Sequence, residues 1–259
     1  MSENLVIIPT YNERENVEDI IRTVFGLDTP FDVLIIDDGS PDGTAETVKK
    51  LQIEFEGLHL IEREGKLGLG TAYITGFGYA LEHGFEYIFE MDADFSHNPK
   101  DLVQLQHACK YEGYDMAIGS RYIQGVNVVN WPMGRVLMSY FASIYVRLIT
   151  GLPINDSTAG FKCYRRHVIE TLRPGENIKF IGYAFQIEMK FNAWKHGFKI
   201  KEVPIIFTDR TKGESKMSSG IFREAVIGVL EMKIRSLFKK YQPVHVSQTG
   251  SILSAGSSK

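Results

Sequence analysis

The chain has 259 residues, 44% of them hydrophobic and 24% charged, enough for one large domain with a sizeable core. A net charge of −3 excludes a whole-surface electrostatic grip on nucleic acid. The two cysteines, Cys109 and Cys163, lack zinc-type spacing and form no disulfide framework, which fits a reducing compartment.

LVIIP (5–9) reads as a short buried strand, ERENVEDIIRTVFG (13–26) as a helix with acids in its first turn, and DVLIIDD (32–38) as a second strand. DGTAETVKKLQIEF (42–55) is a helix opened by Asp42, and LHLIER (58–63) a third strand. GLGTAYITGFGYALEHG (68–84) is a helix and YIFEMDA (87–93) a fourth strand. A helix from Pro99 to Tyr111 and a strand YDMAIGS (114–120) follow. This alternation predicts βαβ units and an α/β fold: a doubly wound, mostly parallel sheet flanked by helices. Near-continuous apolar runs such as VLII fit strands covered on both faces.

After Arg121 the rhythm changes. A long apolar helix (131–151) precedes a strand or loop, STAGFKCYRR (157–166), a helix (182–197) and a strand, FKIKEVPIIF (198–207). A polar loop (209–220) leads to an amphipathic helix with a basic end (221–240). The expected organisation is a domain over 1–220, the C-terminal helix over 221–240, and a Ser/Gly-rich disordered tail over 241–259. The apolar run 136–146 is too short to span a bilayer, which takes about 20 residues. The N-terminal MSENLVII has no secretory design, so the sequon at Asn155-Asp156-Ser157 reads as chance.

In open α/β sheets ligands bind beyond the carboxyl ends of the strands. Four such ends carry unusual residues here: Pro9 to Glu13, Asp37 to Ser40, Asp92 with Asp94, and Gly119 to Arg121. Residues i and i+2 of an extended segment point the same way, so Asp92 and Asp94 suit a hard divalent cation completed by substrate phosphates. Helix capping by Asp94 or Ser96 is the competing structural use. Asp37 and Asp38 fit either a tight turn or hydrogen bonds to a ribose or a base. GKLGLG (65–70) imitates a dinucleotide fingerprint but follows the third strand rather than the first, which rejects an NAD reading and leaves close helix packing. Arg121, Arg210 and Lys216, with Lys162, Arg165 and Arg166, each read singly as solvated surface. Together with a metal they make a site for at least two phosphates. His97 fits a structural turn as well as it fits catalysis.

The segments PTYNERENV, IIDDGSPDGT, KLGLGTAY, MDADFSH, GSRY, STAGFKCYRR, YAFQIEM and EVPIIFTDRTKGESKMS, in this order from about residue 5 to about residue 220, resemble the family-2 inverting glycosyltransferases, and most closely the dolichyl-phosphate (polyprenyl-phosphate) mannosyltransferases. Phe95 stands where Leu is commoner, and Lys162 where Arg is commoner. The resemblance implies a GT-A-like fold, Mg²⁺ or Mn²⁺, and transfer of mannose from GDP-mannose to a polyprenyl (dolichyl) phosphate with inversion. It implies that Pro9, Tyr11, Glu13 and Asp38 hold the nucleoside, and that Asp92 and Asp94 hold metal and diphosphate. Arg121, Arg210 and Lys216 would grip donor and acceptor phosphates, with Gln186 and Glu188 near the sugar or the phosphate-binding loops. It further implies a peripheral place on the cytoplasmic face of a membrane, alone or through an anchoring partner. The membrane candidates are 131–151, with Trp131, Tyr140, Phe141 and Tyr145, and 221–240, ending in Lys233, Arg235, Lys239 and Lys240. The alternatives are a UDP-glucose polyprenyl-phosphate glucosyltransferase, a metal-dependent nucleotidyltransferase, and a non-catalytic nucleotide-sugar-binding subunit.

Overall fold

The computed structural model describes residues 2–182, 184–210 and 220–241, without the side chains of 220–225. The first half alternates as expected: β1 (Asn4–Thr10), α1 (Arg14–Phe25), β2 (Asp32–Asp37), α2 (Thr44–Leu51), β3 (Leu58–Glu62), α3 (Leu69–Glu82), β4 (Tyr87–Glu90), α4 (Asp101–Lys110) and β5 (Met116–Ser120). The second half contains β6 (Val128–Val129), α5 (Met133–Thr150), β7 (Lys162–Arg165), α6 (Arg166–Leu172), α7 (Pro174–Asn177), α8 (Ala184–Lys195), β8 (Ile200–Pro204), β9 (Phe207–Thr208) and α9 (Gly220–Phe238).

Seven strands form one sheet in the order β3-β2-β1-β4-β7-β5-β8. Successive side chains on a strand face opposite ways. Leu5 and Ile7 of β1 therefore enter one core with α3 and α8, while Val6 and Ile8 enter the other with α1 and α4. Helix α1 buries Val17, Ile20, Ile21 and Val24, the i, i+3, i+4, i+7 stripe its sequence carries. Asp42 accepts from Thr44 N (3.0 Å) just ahead of α2, so its expected part in opening that helix is realised. Gly70 explains part of GKLGLG: a Cβ there would lie 2.9 Å from the Ile181 backbone and from the Phe185 ring, so only glycine lets α3 close on that segment.

The strand β7 is the departure from parallel order. It pairs antiparallel with both β4 and β5. Its incoming segment, Asp156–Phe161, therefore meets the same sheet edge at which β1, β2, β4 and β5 end. The reversal also corrects an expectation about the basic residues of STAGFKCYRR. Lys162 stays at that edge, whereas Arg165 and Arg166 lie at the far end of the strand, roughly 10 Å away at about 3.4 Å per residue. There they pair with Glu86 and Glu170. Helices α6 and α7 were not expected. The fourth strand also stops three residues earlier than expected, at Glu90, because the β4·β7 ladder ends at Glu90 opposite Lys162. Asp92 and Asp94 thus sit on a loop that turns sharply at Phe95 (φ 60°).

Candidate active site

The sheet edge is assembled from several loops, beginning with that after β1. Asp37 is structural: its Oδ1 accepts from Thr10 Oγ1 (2.9 Å) and Ser40 Oγ (2.6 Å), and its Oδ2 from Ser40 N (2.8 Å). Asp38 turns to Arg63, whose Nε donates to its Oδ1 (2.6 Å) and whose Nη1 donates to Thr71 (2.7 Å). The Tyr11 ring carries Lys66 Nζ 5.3 Å above its centre, and buried Glu13 accepts from Asn16 Nδ2 (2.9 Å). Pro9 is half-buried near the end of β1. Thus Pro9, Tyr11, Glu13 and Asp38 do come together, with Arg63 and Lys66 beside them.

Asp92 and Asp94 differ in their surroundings. Asp94 Oδ1 accepts from Ser96 N (3.0 Å), and its Oδ2 lies 3.1 Å from Arg210 Nη2. Burial acts against its charge, but Ser96 and Arg210 outweigh that and hold its pKa below the usual carboxylate range. The Asp92 side chain is 41% exposed, against 8% for Asp94. Among the described residues no hydrogen-bond donor reaches the Asp92 carboxylate, and His97 Nδ1 stands 3.8 Å away. The surrounding protein and the neighbouring Asp94 charge push the Asp92 pKa up to about 7.

His97 is packed into the turn. Its ring stacks on Phe161 (4.9 Å) and meets Phe207 edge-on (5.4 Å). Burial drives its pKa down to about 4, so it is neutral at pH 7, and Nδ1 accepts from Asp92 N (3.2 Å). Among the described residues no group of three or more His, Cys, Asp or Glu stands together as a metal site by itself.

Arg121 is brought to the edge but is buried, with its guanidinium committed to the protein. It donates to Asp156 through Nε (2.7 Å), Nη2 (2.6 Å) and the backbone N (2.9 Å), and to Thr158 Oγ1 (2.8 Å). The Tyr122, Trp131 and Phe207 rings surround it at 5.2–5.5 Å. Burial raises the Asp156 pKa, and Arg121 more than offsets this, holding it below the usual range. The sequon asparagine is equally committed, since Asn155 Nδ2 donates to Glu202 (2.9 Å).

Beneath Asp92 lies a closed network. Lys162 Nζ is 2.9 Å from Glu90 Oε2 and also donates to Gln186 Oε1. Gln186 Nε2 and Tyr164 OH donate to Glu90 (2.8 and 2.7 Å). Lys162 is therefore a buried strut, not a surface phosphate ligand. Gln186 belongs to this floor, but Glu188 does not. Two residues along a helix turn by about 200°, so the side chains of Gln186 and Glu188 leave α8 on opposite sides. Glu188 Oε2 accepts from Lys179 N (2.8 Å) and Phe180 N (3.0 Å) beside α9, away from the edge. Lys216 lies outside the described residues.

The small sheet of β6 and β9 carries Arg210 to Asp94. It also brings Arg135 Nη1 to Asp209 (2.8 Å), next to Arg210. Residues 5–173 match glycosyl transferase family 2. The chain is 44% identical to polyprenol monophosphomannose synthase of Mycolicibacterium smegmatis over 89% of this chain and 87% of that protein.

The chain belongs to glycosyl transferase family 2.

Within the family it is of the polyprenyl-phosphate mannosyltransferase type. Two solved structures share its fold at low identity. Glucosyl-3-phosphoglycerate synthase of Mycobacterium tuberculosis, in complex with Mn²⁺ and UDP, has a TM-score of 0.63 and 16% identity over 94% of this chain and 83% of that one. Mannosyltransferase PcManGT of Pyrobaculum calidifontis, in complex with GDP-Man and Mn²⁺, has a TM-score of 0.58 and 17% identity over 93% of this chain and 66% of that one. The family removes the nucleotidyltransferase alternative. Sequence reasoning missed Arg63, Arg135, Asp156 and Glu90. Glu90 and Lys162 did leave a signal, as single charges inside strands otherwise apolar enough to be buried.

Proposed function

We propose that this glycosyltransferase moves mannose from GDP-mannose to a polyprenyl phosphate, with inversion and with a divalent cation bound. The observation that carries the reading is the pairing of Asp92 and Asp94 at the sheet edge: Asp92 open with no donor on its carboxylate among the described residues, Asp94 faced by Arg210. Hard carboxylate oxygens short of positive charge suit Mg²⁺ or Mn²⁺ completed by a diphosphate. Asp92 and Asp94 would hold the ion, which supplies neutralisation of the leaving diphosphate.

The residues of this chain do the rest. Tyr11, Glu13 and Asp38 hold the nucleoside against Pro9. Arg210 exchanges its contact with Asp94 for phosphate oxygens, with Lys216 a further cation of the same segment. Arg121, locked by Asp156, shapes the acceptor side rather than reaching for it. Neutral His97 holds the Asp92 loop and abstracts no proton. None need be abstracted, because a phosphomonoester is already an anion at pH 7. Positioning in line and charge neutralisation then carry the rate.

The acceptor is a lipid, and no described helix is long and apolar enough to cross a membrane. We infer peripheral docking on a cytoplasmic membrane face. Helices α5 and α9 pack on each other and expose Leu137, Phe141 and Leu148 on one, and Ile227, Ile234 and Leu237 on the other. The test is a transfer assay with purified protein, polyprenyl phosphate in detergent, Mg²⁺ or Mn²⁺, and GDP-mannose or UDP-glucose in parallel. Mannosyl phospholipid from GDP-mannose, abolished by EDTA, is expected. Product from UDP-glucose alone would move the enzyme to glucosyl transfer. No product under any condition would overturn the reading in favour of a non-catalytic subunit.

A further inference from the structure

Away from the sheet edge, a second concave site lies between α8 and α9. The two helices run side by side. Gly228 lies against the start of α8: a Cβ there would stand 3.5 Å from Ala184 Cβ and 3.0 Å from the ring of Phe180, which precedes α8. Further along, the helices part around a cavity of about 300 Å³. Glu188 and Asn192 line it from α8, Arg235 from α9, and Lys239 and Tyr241 from just past its end.

Its polar groups are incompletely used. Glu188 Oε2 takes two backbone N–H groups, but among the described residues its Oε1 faces only Arg235 Nη1 at 3.7 Å, too far for a hydrogen bond. Asn192 is 5% exposed, lines the cavity, and among the described residues has no hydrogen-bond partner for its side-chain amide. Arg235 and Lys239 are one helical turn apart, so both charges reach the same space. The Asn192 amide faces the cavity, where a ligand can replace the water that otherwise satisfies it.

We propose that this cavity binds an amine-bearing phosphate, either a small aminoalkyl phosphate or the headgroup of a lipid built on one. An anion alone would meet the open carboxylate oxygen of Glu188. A cation alone would face Arg235 and Lys239. A molecule with both places its phosphate on Arg235 and Lys239 and its N–H donors on Glu188 Oε1, with Asn192 between. Phe238, 84% exposed, stands on the rim beside the apolar face of α9, where a headgroup would arrive if that face met a bilayer. None of the sheet-edge groups that would hold the nucleotide lines this cavity, so the inference does not depend on the proposed transfer reaction.

The test uses the full chain and calorimetric titration with O-phosphoethanolamine, inorganic phosphate and ethanolamine. Saturable binding of phosphoethanolamine is expected, at least about tenfold tighter than either fragment. Arg235→Gln and Lys239→Gln should each weaken it by about tenfold; both side chains are solvent-accessible, so the variants fold. In parallel, sedimentation with phosphatidylcholine vesicles, with and without phosphatidylethanolamine, separates the two sources. Enhanced binding to phosphatidylethanolamine that Lys239→Gln abolishes assigns a lipid headgroup. Saturable binding of the soluble molecule with no vesicle response assigns a free one. Absence of saturable phosphoethanolamine binding overturns the proposal. So does equal binding of inorganic phosphate, or wild-type affinity in both variants.

Discussion

Replacing Asp156 with Asn should cost this protein a large share of its stability although it changes one atom. Asp156 accepts three hydrogen bonds from Arg121, at 2.6, 2.7 and 2.9 Å, and both side chains are buried. Asn keeps one acceptor oxygen and turns an NH₂ group toward a guanidinium that cannot lose its proton. Leaving one partner of a buried pair uncompensated costs about 3–5 kcal/mol, against a typical total of about 5–15 kcal/mol. With a urea slope of about 2 kcal/mol/M, the unfolding midpoint should fall by roughly 1.5–2.5 M. The double variant Arg121→Met/Asp156→Asn should recover part of this loss, because the stranded charge is gone. The pH dependence has a definite sign. The folded pKa of Asp156 is depressed below the ordinary aspartate value of 3.8. Its contribution is therefore complete above that value and is lost as pH falls through the folded one. The wild type and Asp156→Asn should converge in that acid range. Urea titrations followed by circular dichroism at neutral and acid pH decide the matter. A midpoint shift under about 0.5 M at pH 7 would refute the claim that Asp156 compensates the buried Arg121 charge.

Asp94→Asn should lower mannosyl transfer by at least about 10²-fold while leaving the circular dichroism spectrum unchanged; normal turnover would sink the metal assignment. Lys162→Arg retains the charge but adds volume at a fully buried position, so urea unfolding should register a loss of about 1–3 kcal/mol; an unchanged midpoint would show that the floor has slack. Gly70→Ala should destabilise by a similar amount, even though Ala is the better helix former, because its Cβ meets the Ile181 backbone at 2.9 Å; a stabilised variant would contradict this packing. Leu237→Ser with Ile234→Ser should reduce sedimentation with anionic liposomes several-fold and leave unfolding nearly unchanged, since both side chains are exposed; unaltered sedimentation would remove α9 from the membrane contact.

The residues legible in the sequence were those whose role is local. Hydrophobic periodicity placed α1 and β2, and the position of GKLGLG after the third strand rejected a cofactor loop. Acids at strand ends marked the edge, because βαβ order makes those ends converge whatever the side chains are. What escaped was set by a single non-local event, the reversal of β7 between β4 and β5. Nothing within STAGFKCYRR distinguishes a strand running with its neighbours from one running against them. Yet that direction decides that Lys162 closes on Glu90 while Arg165 and Arg166 leave the site. It also decides that Asp156 arrives 35 residues after Arg121 to take up its guanidinium. Side-chain charge was informative about location only where the backbone direction was already known. The one clue available was energetic: Glu90 and Lys162 interrupt apolar strands, and a charge placed where burial is certain must have a partner of opposite sign nearby. The two charges therefore each call for a partner, but which partner each takes is fixed only once β7 lies antiparallel beside β4.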